Sequence, residues 1–578
     1  MSEIVERRMK YKTGEDTVIF RSTQRPKSPE EMIQAANQRS TAKRGICPPP
    51  DPKTYEVEPG ILCDQDVEVK MRDGASVYAD IYRPDCKEKV PVILAWSFYG
   101  KRPLAYGGEW NVRGVRPDTI SSYTKFESPD PLYWCHEGYA IANADDRGSG
   151  YSDGDHEYWG TQDGRDGYDF IEWIAQQPWC NGKVSMSGTS ALAMAQWYIA
   201  AECPPHLACI APWEGTSDMY REWTREGGIL HAEFTEWIIS GLTGKGYMDD
   251  MTAMATKNPL LTPYWQDKIP EFKNITIPCY TTGSWNHIHL RGSVEGFKRI
   301  SSAKKWIRIH NEFEWPDYYR NENLTDLKRF FDRYLKGIHN GWEMTPYVRL
   351  EVQDQGNVPF IKYREENEFP IARTVYRKLY LNAADATMSP DPPVQSHEVS
   401  YDADSGQVTF EYRFDEETEL TGYMKLRLWL EARGHDDMDI FVTVSKLSTD
   451  GKELPIEVLE RQHPGAWGKL KVSHRRLDPE LSTDYQPVQA HKCEEKLGAG
   501  EIVPAEVEIW PTSFIWHKGQ IIRVRVAGRY IRGDWYEPTS SITDNAGEHV
   551  LHTGGTYDSY LQVPVIPPRV NDGGYVAY

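Results

Sequence analysis

The chain has 578 residues, with 86 acidic side chains against 66 Lys and Arg, and its net charge of −20 is spread along the whole length. That length calls for two or more packed units, and dispersed negative charge argues against a nucleic acid or an anionic membrane surface as partner. Twenty Trp, 34 Tyr and a hydrophobic fraction of 39% exclude a mainly disordered chain.

The first residues, MSEIVERRMK, are charged from the third position and lack the apolar run of a secretory signal. Nine cysteines without a CxxC pair point to neither a disulfide framework nor a zinc knuckle, so a cytoplasmic location is expected. Residues 1–60 are polar and Pro-rich and read as a surface arm. A hairpin follows at 67–82, turning at Arg72-Asp73-Gly74, and then apolar strands at 90–96 and 138–144 alternate with an amphipathic helix at 166–177. The alternation resumes at 274–345, so 61–213 and 274–345 read as two parts of one open α/β sheet. Between them, 214–273 loses its strand signals and reads as an inserted helical cap. Residues 346–578 lose the helical period, and alternating segments such as 424–430, 440–444 and 521–526 predict an all-β jelly roll.

The sharpest local feature is Gly188-Thr189-Ser190, set between an apolar strand and a run of strong helix formers. A serine in such a turn is lifted clear of the sheet, and the helix start aims backbone N–H groups, that of Ala191 first, at a developing oxyanion. The same pattern fits a serine that only caps the helix, and Leu192 stands where the G-x-S-x-G form has its second glycine. Asp145 and Asp146 follow a core strand and are placed to meet a substrate ammonium, although Asp146 with Arg147 reads first as a bracing pair. With no HExxH, phosphate-loop or GxGxxG pattern, neither a metal nor another cofactor is expected.

Several motifs occur in one order: Met71-Arg72-Asp73-Gly74 with Tyr78-Ala79-Asp80-Ile81-Tyr82-Arg83-Pro84, Tyr99-Gly100-Lys101, Asp146-Arg147-Gly148-Ser149-Gly150, Gln177-Pro178-Trp179-Cys180, Gly188-Thr189-Ser190, and the closing Tyr560-Leu561-Gln562-Val563-Pro564. Over residues 66–567 the chain thereby resembles the cocaine esterase and Xaa-Pro dipeptidyl peptidase (CocE/NonD) family of α/β-hydrolases. The resemblance implies an α/β-hydrolase core with a helical cap and a C-terminal jelly roll. It also implies that Ser190 is the nucleophile and that the Tyr99 hydroxyl joins the Ala191 N–H in the oxyanion hole.

The other two triad positions depart from the family. Where the family has its acid, the chain reads Gly283-Ser284-Trp285-Asn286-His287-Ile288-His289; where it has its histidine, the chain reads His310-Asn311-Glu312-Phe313-Glu314. By position the acid has become His287 and the histidine Glu314. Three readings stay open. The roles have exchanged loops, with His287 as base, or His289 if one residue is gapped, oriented by Glu314 or Glu312; His310 is the base with Asp317 or a nearby Glu; or Ser190 is inert in a recruited fold. Trp96, Phe98, Trp213 and Trp285 lie at predicted strand ends and are expected to wall the pocket, with Tyr220, Trp223, Phe234 and Trp237 added from the cap. The expected function is a serine hydrolase acting through an acyl-enzyme on an ester, thioester or amide of a hydrophobic small molecule. Acyl transfer to an alcohol or amine is one alternative, a non-hydrolytic enzyme or binding protein on the recruited fold is the other, and self-association is left open.

Overall fold

A computed structural model of the chain describes residues 3–25, 49–103, 114–356, 358–458, 461–530, 541–570 and 576–577. The expected surface arm contains an antiparallel hairpin of β1 (Ile4–Tyr11) and β2 (Gly14–Ser22). Its alternating pattern puts Val18 and Phe20 into the core, and β2 pairs onward with a short strand of the cap, Tyr247–Asp249. The arm is thus partly sheet, tied to the cap by backbone hydrogen bonds.

The central sheet takes up β3 (Lys53–Glu58), β4 (Ile61–Lys70), β5 (Ser76–Pro84), β6 (Val90–Ser97), β7 (Ala140–Asp145), β8 (Cys180–Thr189) and β9 (Leu207–Trp213). The cap contributes the short strands β10 (Leu230–His231) and β11 (Tyr247–Asp249), after which the sheet resumes with β12 (Cys279–Ser284), β13 (Lys305–His310), β14 (Val348–Gln353) and β15 (Pro359–Glu366). Across the sheet the order is β3, β4, β5, β7, β6, β8, β9, β12, β13, β14, β15, parallel from β7 to β14. All of β6 is buried because helices cover both faces. Val92, Leu94 and Trp96 pack beneath the helices Thr161–Ala175 and Ala191–Ala201, while Ile93 faces the opposite cluster around Trp134, Leu327 and Phe331. The strand order reverses at β6, which opens a crevice at the C-terminal strand ends.

Two boundaries differ from the sequence reading. β14 and β15, expected in the jelly roll, continue the α/β sheet, with Val348 and Leu350 in register with Ile307 and Ile309, while the end of β14 also pairs with the jelly-roll strand Val503–Trp516 at Gln353 and Phe514. Their alternation suits either domain, and only the partner strand distinguishes them. The cap is made of short helices at Glu233–Ile239, Met251–Lys257 and Pro263–Asp267 together with β10 and β11, so its strand content is small but not nil.

In the all-β domain the long strand Thr418–Arg433 pairs with Val503–Trp516, Glu548–Thr553 and Tyr560–Ile566. A facing set joins Gln407–Arg413, Ile521–Ala527, Asp439–Leu447 and Gly465–Lys471. Leu426, Leu428, Val442 and Val524 fill the space between them. Among the described residues no helix is long and apolar enough to cross a membrane.

The helix Leu290–Arg299 locks the two domains together. Arg291 reaches Glu222 of the cap at 3.0 Å and Glu508 of the jelly roll at 3.1 Å, with side-chain exposures of 5%, 0% and 12%. Tyr423 Oη donates to Glu295 Oε1 at 2.6 Å. Burial pushes the Glu295 carboxyl up, but Lys298 and Arg291 together hold it well below its usual range. Removing one partner from such a buried cluster strands the others. Arg291→Ala should therefore cost about 3–5 kcal/mol of stability, read as a lower unfolding midpoint at unchanged far-UV circular dichroism.

Candidate active site

β8 ends at Thr189 and a helix begins at Ala191, leaving Ser190 alone at the junction with φ 53° and ψ −119°. This positive φ is the strained conformation that turns a hydroxyl out of the sheet. Three contacts fix it. Ser190 N–H donates to Glu214 O at 3.0 Å, Thr189 N–H donates to Glu127 O at 3.2 Å, and Met194 N–H returns to Ser190 O at 2.9 Å. Gly188, at φ 134°, has no room for a side chain, because a Cβ there would lie 2.6 Å from Leu192 Cβ and 2.8 Å from Glu127 O. Leu192 therefore fills the place of the second glycine by packing over the first.

The Ser190 hydroxyl makes no cap bond to the helix; Oγ lies 3.1 Å from Nε2 of His289. The other ring nitrogen of His289, Nδ1, lies 3.0 Å from Thr216 Oγ1. His289 is 2% exposed, and burial pushes its pKa down to about 3, so the resting imidazole is neutral and able to accept a proton. Trp223 of the cap stacks on it at 5.7 Å between ring centroids.

His287 and Glu314, paired by position in the sequence, do face each other: Nε2 is 3.7 Å from Glu314 Oε1. Nδ1 of His287 is 3.7 Å from Glu214 Oε2, and the His287 ring lies 4.9 Å from that of His289. Ser190 is thus met by the second histidine of the loop, whose position at the start of the helix Leu290–Arg299 turns it back over the β8 end. His310 does not reach Ser190 either, because it ends β13 with Nε2 2.7 Å from Glu214 Oε1 and 3.3 Å from Asp317 Oδ2. Burial alone would lower the His310 pKa, but Asp317 and Glu214 reverse this and raise it. Arg308 in turn forks onto Asp317 at 2.8 and 2.5 Å. Glu312 turns outward to Arg320.

Tyr99 follows β6, with its ring against Phe98 at 4.6 Å and Phe126 at 5.0 Å. Phe98 in turn meets Trp159, whose indole N–H donates to Ala191 O at 3.3 Å, so this aromatic row borders the turn. Of the four expected wall residues, Phe98 lies in the aromatic row beside the Ser190 turn and the other three do not. Trp96 is buried under the helix Thr161–Ala175 and donates to Asp163, Trp213 packs between Tyr280 and Tyr318 on the opposite face, and Trp285 donates to Glu351 O in the cluster toward the jelly roll. In each case strand alternation or the turn carries the ring into a hydrophobic cluster, away from the rim. From the cap, Trp223 lies on His289 and meets Phe234 edge to face at 4.9 Å, whereas Tyr220 packs on Trp265 and the side chain of Trp237 lies outside the described residues. Asp145 is paired with Lys101, and Arg147 joins Asp166 and Asp73 in place of Asp146, so these charges brace the loop.

The sequence reading overlooked Glu214 and Thr216. Both stand in Trp213-Glu214-Gly215-Thr216-Ser217, a polar run after an apolar strand, where the C-terminal sheet edge gathers functional groups. Assigning that run to the cap hid the signal. Glu214 also carries a positive φ of 58°, set where its backbone holds Ser190 and its carboxylate accepts the Ser284 N–H at 3.1 Å.

Such an arrangement can move a proton from a serine hydroxyl to a neutral imidazole. Gly188→Ala should disturb the turn directly, giving at least a tenfold slower reaction of Ser190 with a fluorophosphonate and a lower unfolding midpoint, checked by intact-protein mass and a thermal melt.

The family model for X-Pro dipeptidyl-peptidase (S15 family) matches residues 73–255, and that for the X-Pro dipeptidyl-peptidase C-terminal non-catalytic domain matches 340–562. A crystal structure of a CocE/NonD family hydrolase from Staphylococcus aureus is 36% identical, covers 88% of this chain and 94% of its own, and superposes with a TM-score of 0.83. Cocaine esterase of a Rhodococcus species is 26% identical over 55% of this chain and 62% of its own length. An aminopeptidase of a Thaumarchaeota archaeon, 15% identical with a TM-score of 0.66 over 89% of this chain and 99% of its own, shares the fold.

Proposed function

The chain belongs to the CocE/NonD family of α/β-hydrolases and is a serine hydrolase, and on that premise we propose that it cleaves an ester, thioester or amide of a hydrophobic small molecule through an acyl-enzyme on Ser190. The observation that carries this reading is the 3.1 Å contact between Ser190 Oγ and His289 Nε2 at an uncapped, positive-φ turn. Ser190 attacks the carbonyl carbon while His289 Nε2 takes its proton and then gives it to the leaving group. Water, activated by the same nitrogen, releases the acyl group. Thr216 Oγ1 holds Nδ1 in the place where a carboxylate stands in the ordinary triad, so it fixes the ring but adds little charge. Glu214 and Glu314 stand on either side of the neighbouring His287.

The developing oxyanion is met by the Ala191 N–H at the helix start, where backbone donors have no partner in a preceding turn, and by the Tyr99 hydroxyl. Phe98, Trp159 and Trp223 supply apolar surface to the acyl or alcohol portion. An ammonium-bearing peptide is disfavoured, because Asp145 is committed to Lys101.

Exposure to a small fluorophosphonate should leave one adduct on Ser190, found by peptide mapping and absent in Ser190→Ala. A folded protein that takes no adduct would refute the reading. Hydrolysis of an activated ester should fall by several orders of magnitude in Ser190→Ala and His289→Ala, and Tyr99→Phe should cost about 10²-fold in kcat. His287→Ala should lose far less than His289→Ala; equal losses would show that the two imidazoles act as one unit. An added alcohol acceptor that raises acyl-ester product at the expense of free acid would make acyl transfer the main reaction.

A further inference from the structure

Three buried donors converge next to Ser190. His287 Nε2 lies 3.7 Å from Glu314 Oε1, and with a ring nitrogen of His289 the three ligand atoms all fall within 4.8 Å of one another. Their residues are 1%, 4% and 2% exposed. A tetrahedral zinc ion with bonds of 2.0–2.2 Å sets its ligands about 3.4 Å apart, so one edge of the triangle is within a few tenths of an ångström of that spacing. Closing the other two edges, which lie within 4.8 Å, takes a small rotation of the Glu314 side chain and of an imidazole ring.

The surroundings match a metal site better than the distances alone suggest. Each imidazole has a partner for its outer nitrogen: Glu214 Oε2 is 3.7 Å from His287 Nδ1, and Thr216 Oγ1 is 3.0 Å from His289 Nδ1. A hydroxyl at hydrogen-bond distance, such as that of Thr216, orients its ring, whereas the Glu214 carboxylate at 3.7 Å makes a charge contact with His287. His287 Nδ1 also lies 3.4 Å from the His289 N–H, so metal binding would select the form whose Nδ1 proton faces Glu214. The Glu214 carboxylate is itself pinned by His310 at 2.7 Å and by the Ser284 N–H at 3.1 Å. Two carboxylates beside the centre offset the charge of a dication in a buried place. Two His and one Glu leave a fourth position open, and Ser190 Oγ stands at that side, 3.1 Å from His289 Nε2.

We propose that His287, His289 and Glu314 bind one divalent transition-metal ion, with zinc the best match to the donors, and that the bound ion switches the hydrolase off. The metal takes the lone pair of His289 Nε2, the hydrogen bond from Ser190 is lost, and no base remains for the hydroxyl proton. The step exchanges a hydrogen bond for a coordination bond, with no change of oxidation state. Binding stands on the geometry alone, whereas inhibition rests on the Ser190–His289 reading given above. Magnesium, which prefers oxygen ligands, should not substitute.

The test uses the full-length chain after chelator treatment. Calorimetry with zinc chloride should show one site, and cobalt chloride should give the visible absorption of tetrahedral Co²⁺. Both signals should vanish in Glu314→Gln and in His287→Gln, each shown to be folded by its thermal melt. Zinc should slow fluorophosphonate labelling of Ser190 at least tenfold, with recovery on adding EDTA and no effect of magnesium. No stoichiometric binding to the wild-type chain, or binding unchanged in both variants, overturns the site. Binding that leaves labelling unaffected overturns the off-switch. Labelling of Ser190 without any zinc binding removes the metal and keeps the hydrolase; zinc binding by a chain whose Ser190 never labels does the reverse.

Discussion

Everything at the catalytic edge depends on one strained residue. Ser190 holds φ at 53°, a conformation that costs on the order of 1–3 kcal/mol for a residue with a side chain. It persists because its neighbours leave no alternative. Gly188 has backbone and side-chain atoms against it, the N–H of Ser190 is taken by Glu214, and the N–H of Thr189 by Glu127. The second half of β8, from Val184 to Thr189, and the helix after it are both buried throughout, so relaxing the turn would mean moving a buried strand end or a buried helix. The strain is a by-product of two good packing solutions meeting at one residue, and it turns the hydroxyl toward His289.

The second organising fact is sheet register. Thr189 is level with Trp213, and Trp213 with Thr282; Ser284 is level with His310. The residues just beyond these pairs, Ser190, Glu214, the 285–289 loop and the 311–314 loop, are therefore brought side by side by backbone hydrogen bonds formed many residues away. Glu214 sits at the middle of this row and touches both histidine loops and the serine turn. Buried charge is tolerated here because it is chained in alternating sign, from Arg308 to Asp317 to His310 to Glu214. Breaking the chain at any point would leave a neighbour buried and uncompensated.

Much of this was legible in the amino-acid sequence. The apolar run 90–96 reads as a strand covered on both faces, and the Gly188-Thr189-Ser190 junction marked the strand-to-helix turn that the structure shows. The loops at 283–289 and 310–314 were marked by their chemistry, yet the partner of Ser190 was placed first at His287, with His289 as the gapped alternative. His287 and His289 differ by two residues, and which one turns back depends on the helix starting at Leu290, a tertiary matter. Trp96, Trp213 and Trp285 were misplaced for a related reason. Being at a strand end fixes how high a side chain sits but not which face it takes, and all three rings went to hydrophobic clusters. The β14 and β15 strands read as jelly roll because alternation does not name its partner.

The helix Leu290–Arg299 begins one residue after His289 and ends against the β domain through Arg291, Glu295 and Lys298, which meet Glu508, Tyr423 and Gln486. The imidazole that faces Ser190 is thus mounted on the domain junction. In modular terms the C-terminal domain cannot be a detachable accessory. A recombinant that exchanges it for a relative's would have to carry the matching face of this helix along, so the two halves of the chain are bound to diverge in step, and change in the β domain is transmitted to the alignment of the imidazole beside Ser190.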